Sequence, residues 1–379
     1  MGVVYTPVEI VDFILHSVDE ALRRNFGVGI GAEGVHVIDP FTGTGTFITR
    51  LLQSGLIARE DLARKYREEL HANEIILLAY YIAAINIETV FADLMGESGT
   101  EASYEPFCGI LLTDTFALHE HRDMLDELLP DNAERRTRQR NLDIRVIVGN
   151  PPYVVGEEDG NSEDARVDYP RLDGRIRDTY AARTNARNKN GLYNAYIRAI
   201  RWASDRLGED GGVVAFVTNG GFLDGNASAG VRRCLLDEFS DLRIVDLRGN
   251  QRTSGERSRR EGGKIFDAGS RAPIAISVLT KRRGAPTAGA IHYHDVGDYL
   301  SREDKLRIVR EFGSAGGVEE AGGWTRIEPD EHGDWINQRD TSFAAFLPMG
   351  EKGADEDALF ALYSNGVKTQ RDPWAVNAS

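Results

Sequence analysis

Short β-rich runs alternate with helical ones along most of this chain, and that alternation limits the fold more than any other feature. VHVID (residues 35–39) is a β-rich run, closed by PFTGTGTF (40–47), after which Phe47-Ile48 and Leu51-Leu52 restart a helical period. Further strands are expected at 69–73, 109–113, 144–148, 212–217, 242–247 and 274–280, with helices at 75–86, 192–207 and 228–238 between them. Strands that alternate with helices predict a mostly parallel sheet covered on both faces. Before the first strand, residues 7–15 have helical periodicity, with Thr6 as N-cap, Pro7 at the first helical position and Glu9 in the capping-box place. The glycine- and arginine-rich stretch 250–264 is expected to be a mobile loop. From about Gly284 the periodicity weakens and glycine and acidic residues take over.

At 379 residues, 41% apolar and 28% charged, the chain has the composition of a globular protein with room for more than one structural unit. No uninterrupted apolar run approaches the ~18 residues of a membrane span, and the start MGVVYTPVEI has no basic-then-apolar leader, so a cytoplasmic setting is expected. Cys108 and Cys234 are too few for a disulfide framework and lack metal-ligand spacing; both are expected to be buried thiols. His119 and His121 have no third ligand nearby, so no metal site is expected. The net charge of −15 is unevenly spread, roughly −13 over residues 1–130, +6 over 131–290 and −8 beyond, which leaves the middle as the part that could face phosphate.

In open α/β sheets, ligands bind outside the carboxyl ends of the strands, where a glycine turn lets backbone amides approach them. The turn 39–47 has that form, although it is neither the GxGxxG fingerprint nor a phosphate-cradling GK[ST] loop. Asp39, Glu74 and Asp114 would each follow a strand and line one rim; Glu74 suits ribose hydroxyls, and Asp114-Thr115 an adenine amino group. The expected occupant is an adenosine-bearing cofactor.

The fourth strand ends in Asn150-Pro151-Pro152-Tyr153, whose two prolines forbid further ladder pairing. The Asn150 side-chain oxygen and the Pro151 carbonyl can accept both protons of one amino group, with Tyr153 stacked on its ring. Such a site activates a nitrogen attached to an aromatic ring; the same residues would also serve as a plain turn.

YTPVEIVDFIL, DPFTGTGTF, HANEI, LTDT and GNPPY, in that order, resemble the motifs of the S-adenosylmethionine-dependent amino methyltransferases. More narrowly they resemble the γ-class N6-adenine DNA methyltransferases of restriction-modification systems. NGLYNAYIRAIRWASDRL, GGVVAFVTNGGFL and GGKIFDAGSRAPIAISVL are similar to later motifs of that family, and LYSNGVKTQRDPWAVN to the segment leading into a target-recognition domain. The whole pattern is most like the methyltransferase domain of single-polypeptide type ISP restriction-modification enzymes. The resemblance implies a Rossmann-like α/β methyltransferase fold with a mostly parallel seven-stranded sheet, helices on both faces and an antiparallel last strand. It implies a cofactor-lid segment (1–30), a catalytic core (31–283) and an extension (284–379) leading toward a recognition domain, the chain being a piece of a longer enzyme with nuclease and helicase parts.

By the same resemblance S-adenosylmethionine is the cofactor and double-stranded DNA the partner. Thr6 and Pro7 would close over the methionine end, and Gly43, Gly45 and Phe47 would shape the floor with Asp39, Phe41 and Thr46 beside them. Glu74 would hold the ribose, and Asp114 with Thr115 the adenine. Asn150, Pro151, Pro152 and Tyr153 would hold a flipped adenine, Phe222 and Phe266 would wall its pocket, and Arg252, Arg257, Arg259, Arg260 and Lys264 would meet phosphate. Asn190-Gly191 departs from the pattern, since many relatives carry an acid there. The alternatives are an NPPY-type enzyme acting on N4 of cytosine, on RNA or on a protein glutamine amide, a nicotinamide-dependent oxidoreductase, and a non-catalytic DNA-binding or coupling module on the same fold.

Overall fold

The strands alternate their side chains between two faces, and both faces are covered. In the computed structural model the described residues are 5–96, 104–120, 130–152, 168–208, 210–266, 271–284, 289–339, 342, 345–347 and 359–360. The strands β1 (His36–Asp39), β2 (Leu70–Glu74), β3 (Ile110–Leu112), β4 (Ile144–Gly149), β5 (Gly211–Asn219), β6 (Asp241–Arg248), β7 (Ile274–Arg282), β8 (Ala290–Asp295) and β9 (Thr325–Ile327) form one sheet. Its order is β3-β2-β1-β4-β5-β7-β6-β8-β9, antiparallel only where β7 enters between β5 and β6 and where β9 closes on β8. Along β5, Val213, Ala215 and Val217 join one core while Val214 and Phe216 join the other, so a strand buried on both sides reads as an unbroken apolar run.

One face is covered by α1 (Val8–Phe26), α2 (Thr46–Gln53) and α3 (Leu77–Met95), and the other by α5 (Pro170–Asp178), α6 (Ala195–Arg206) and α7 (Ala229–Glu238), while α4 (Pro130–Arg140) flanks β3. Pro7, not Thr6, occupies the N-cap of α1, with no side-chain cap bond; the Thr6 hydroxyl is drawn elsewhere, as described below. The expected seven strands are present, the seventh antiparallel, but the sheet runs two strands further. Residues past 284 add β8 and β9 and the helices α9 (Arg302–Phe312) and α10 (Ala315–Glu320), after a short helix, α8 (Gly255–Glu261), in the preceding connection. Both added helices pack on α1: Glu9 pairs with Arg310, the Ala315 amide donates to Ser17 Oγ at 2.8 Å and the Gly316 amide to Glu20 at 2.8 Å. The first compact unit accordingly extends to Ile336, and residues 337–379 form a second, in which the described Phe346, Leu347, Leu359 and Phe360 are exposed. The segment LYSNGVKTQRDPWAVN lies outside the described residues.

The stretch 250–264 is organised rather than loose: it contains α8, and Lys305 Nζ donates to the carbonyls of Glu261 and Gly263, each at 2.7 Å. Cys234 is buried as expected but Cys108 is exposed. Among the described residues one helix, α3, is long and apolar enough by length and composition to cross a membrane, although Asn86 and Glu88 interrupt its apolar run. Here its Ala83, Ile87 and Phe91 are buried, Phe91 stacks on Tyr66 at 3.7 Å between centroids, and the opposite side exposes Leu78, Tyr81, Ile82 and Ile85. Truncation of Phe91 to Ala should cost about 3–5 kcal/mol, as for other core Phe→Ala changes. Urea denaturation checks this; a loss under about 1 kcal/mol would mean that α3 is not held by this stack.

Candidate functional site

Five parallel strands deliver their carboxyl ends to one rim, and the sequence places a polar residue at almost every one. Asp39 ends β1 with its side chain fully buried. Oδ1 accepts the Phe41 amide at 3.1 Å, whereas Oδ2 is buried without a hydrogen-bond partner. Burial pushes this carboxyl up to about 8, with the charge of Glu74 adding to the shift and the Phe41 amide opposing it. The turn that follows is held from β2: Glu74 accepts the Gly43 amide on Oε2 at 2.8 Å and the Ile76 amide on Oε1 at 2.7 Å. Burial raises the Glu74 carboxyl as well, against the pull of those amides. Gly45, at φ +89°, enters α2 where a Cβ would meet Ile87 at 3.2 Å and the Ala83 carbonyl at 3.3 Å, so only glycine lets the turn lie this close to α3.

At the end of β3, Asp114 accepts the Phe116 amide at 2.9 Å on Oδ1 and the Tyr169 hydroxyl at 2.7 Å on Oδ2. Burial and the neighbouring carboxylate hold the Tyr169 phenol above its usual range. Thr115 is a brace: its hydroxyl donates to the Pro40 carbonyl at 2.6 Å and accepts from Asn73 Nδ2 at 3.2 Å, and Asn73 in turn accepts from Gln139 at 2.9 Å. At the end of β4, Asn150 Nδ2 donates to Thr6 Oγ1 at 3.1 Å, while Asn150 Oδ1 is buried and without a partner. Gly149 lets the two polar ends approach, since a side chain there would meet Asp39 Oδ1 at 2.8 Å.

The structure thus joins Thr6 to Asn150, Asp39 to Gly149, Gly43 to Glu74 and Thr115 to Pro40 along one rim, with Asp114 at its far strand. Pro151 is buried and Pro152 half-buried; Tyr153 lies outside the described residues. Phe47 is buried in the first core, and Phe41 packs toward Phe116 and Phe216 at 5.4 and 6.3 Å. Phe222 and Phe266 are also core residues, 1% and 3% exposed. Arg252, Arg257, Arg259 and Arg260 are exposed at the carboxyl end of β6, which β5 and β7 separate from β4; Arg259 faces Glu256 at 3.3 Å and Arg260 faces Asp298 at 3.9 Å. Lys264 is half-buried. Sequence reasoning did not single out Asn73, Gln139 or Tyr169, whose roles depend on pairings across the sheet. Nor did it single out Ile75, 60% exposed beside Glu74, which was legible as the apolar residue after the acid.

The folded protein holds the Asp39 proton up to about pH 8, while the unfolded chain releases it near 3.8. Between those values the folded state binds the extra proton, so this group's contribution to stability falls as pH rises. Asp39→Asn should remove that decline. Urea denaturation at pH 5, 6.5 and 8 should show the wild type losing ground against the variant; parallel pH profiles would contradict the raised value.

The model of the Eco57I restriction-modification methylase family matches residues 60–253, just over half of the chain. None of the curated proteins compared matches it. Among solved structures, the ATP-dependent type ISP restriction-modification enzyme LlaBIII bound to DNA is 44% identical, with a TM-score of 0.90, over 99% of this chain and 25% of its own. A nuclease-deletion mutant of the type ISP enzyme LlaGI, in complex with a DNA substrate mimic, is 45% identical, with a TM-score of 0.87, over 98% of this chain and 30% of its own. The DrdV–DNA complex is 37% identical, with a TM-score of 0.85, over 98% of this chain and 35% of its own. The chain therefore spans a quarter to about a third of the length of these relatives. By its family match and by the rim its strands build, the chain belongs to the Eco57I restriction-modification methylases.

Proposed function

We propose that the chain is the modification module of a restriction-modification enzyme and transfers a methyl group from S-adenosylmethionine to the N6 amino group of adenine in double-stranded DNA. One observation carries this reading: the Asn150 amide has its donor end tied to Thr6 and its acceptor end buried and unsatisfied at the rim. A buried acceptor without a partner is costly unless a ligand donor fills it, and an exocyclic amino group has the right donor. Asp39 Oδ2 is a second buried oxygen without a partner; the α-ammonium of the cofactor's methionine end, placed beside it, would favour the ionised carboxylate over the protonated form that burial alone imposes. Glu74 and Asp114 remain the residues for ribose and adenine, with Ile75 beside them for the ring face; at Asp114 an amino group would share Oδ2 with Tyr169.

Bound S-adenosylmethionine supplies a methyl group made electrophilic by its sulfonium. The chain's own contribution is then position and electrostatics. Asn150 Oδ1 and the Pro151 carbonyl accept hydrogen bonds from the two amino N–H groups, turning the nitrogen lone pair out of conjugation with the ring. Pro151 and Pro152 hold those acceptors before the base arrives, so little reorganisation accompanies charge development. With the cofactor bound, the amino nitrogen would form the new bond to carbon as the carbon–sulfur bond breaks, and its surplus proton would pass to solvent. The base must first leave the duplex, at a cost of a few kcal/mol. Nuclease, helicase and target-recognition parts, in the same polypeptide or complex, are the partners this reading implies.

Tritiated S-adenosylmethionine incubated with DNA, followed by nucleoside analysis, tests it: label should appear in N6-methyladenine. Label in N4-methylcytosine, RNA or protein would replace the substrate, and absence of transfer despite cofactor binding would favour a coupling module. Asn150→Ala should lower transfer by roughly 10²–10³ while cofactor affinity holds. Thr6→Val, which frees the amide to rotate, should cost up to about tenfold in kcat, the worth of one hydrogen bond, and Thr6→Ser should restore it. Equal rates for the valine and serine variants would remove Thr6 from the mechanism.

A further inference from the structure

Phe222 is fixed from outside the strand that delivers it. The turn Gly220–Phe222 and the residues up to Gly225 leave the carboxyl end of β5, next to β4, so this loop borders the rim beside Asn150. Arg232, on α7, is completely buried. On one side its guanidinium donates to the carbonyls of Phe222 and Gly225, each at 2.9 Å. On the other it donates to the Gly333 carbonyl at 2.8 Å and to Asp334 Oδ1 at 2.5 Å. Trp335, 4% exposed, meets the Phe222 ring edge-on at 6.3 Å between centroids. One side chain therefore joins a rim loop to a segment a hundred residues later, just ahead of the second unit.

A buried guanidinium–carboxylate pair is a poor source of stability, because desolvation offsets much of its Coulomb attraction. What the planar fork supplies, and an apolar side chain cannot, is fixed geometry among three carbonyls. We propose that Arg232 is a positioning residue for the substrate side of the rim: it locks the loop 220–225 onto residues 333–335, so the loop holds its shape only while that C-terminal segment is docked. The consequence for catalysis rests on the methyl-transfer reading; the structural coupling does not.

Hydrogen exchange on the full chain tests the coupling directly, because the amides of Gly220, Leu223 and Gly225 are all hydrogen-bonded and report opening of the loop. Trp335→Ala and Arg232→Lys, which keeps the charge and loses the fork, should each speed exchange at least tenfold in 219–226 and 328–336, leaving β4, β6 and α6 unchanged. S-adenosylmethionine affinity by calorimetry should stay within twofold, while KM for DNA rises fivefold or more with a smaller change in kcat. Unchanged exchange in the loop, or faster exchange spread evenly through the sheet, overturns the proposal, the second outcome marking a merely structural role. Should Arg232→Lys fail to fold, Trp335→Ala decides alone. If the wild type transfers no methyl to DNA, the functional reading falls and the exchange result still decides the coupling.

Discussion

The carboxyl end of a parallel strand is a place where polar groups converge that the ladder no longer pairs, and five such ends share one rim here. Most of what surrounds the rim exists to satisfy those groups. Glu74 takes the Gly43 amide of the glycine turn, Thr115 donates to the Pro40 carbonyl and Asn73 holds Thr115. Two side-chain oxygens are left without a partner, Asp39 Oδ2 and Asn150 Oδ1, on adjacent strands and both buried. Since buried polar atoms are rarely left unpaired, these two, side by side, are the observation on which the proposed ligand site rests.

The second core explains why the sheet does not stop at seven strands. β7 enters antiparallel between β5 and β6, leaving the far edge of β6 open, and an open edge needs cover or pairing. β8 pairs along β6 over six residues, from Asp241 with Ala290 to Asp246 with Asp295, and β9 closes on β8. The returning chain then carries α9 and α10 across to α1, where Ser17 and Glu20 receive the first amides of α10. The C-terminal extension thus completes the sheet and presses on the same helix that brings Thr6 to Asn150.

Elements with a strong local signal were legible in sequence. Every strand from β1 to β7 lies within a few residues of its expected place; β3, β4 and β5 carry the apolar runs ILL, VIV and VVAFV, whereas β2, LHANE, is buried throughout despite three polar residues. β8 was not legible: AIHYHD alternates around polar residues, and only its pairing with β6 makes it a strand. Thr6 reads locally as a helix cap, but Asn150 Nδ2, 144 residues away, takes its hydroxyl. Phe222 and Phe266, pocket walls by resemblance, are both buried in the core. Local pattern reveals where a strand or turn must lie; it says little about which of several suitable partners a polar side chain takes.

Charge shows the same limit. Residues 131–290 carry a positive sum, which by itself suggests a face for phosphate, yet most of that charge is consumed inside the protein. Arg198 pairs with Asp173, Arg175 and Arg201 share Asp205, Arg201 also takes Glu238, and Arg248 pairs with Asp295 and Asp298. A guanidinium already committed to a carboxylate releases few counterions on meeting DNA, because its partner must first be displaced. Arg138 and Arg140 on α4, Arg252 ahead of α8, Arg257 on it, and Arg271 and Arg282 at the two ends of the β7 segment form no ion pair among the described residues and are exposed. The uncommitted positive charge of the described residues therefore sits on a few separated side chains rather than on a basic surface. Under the proposed methyl-transfer reading, a net charge of −15 leaves so small a set a weak electrostatic grip on a duplex.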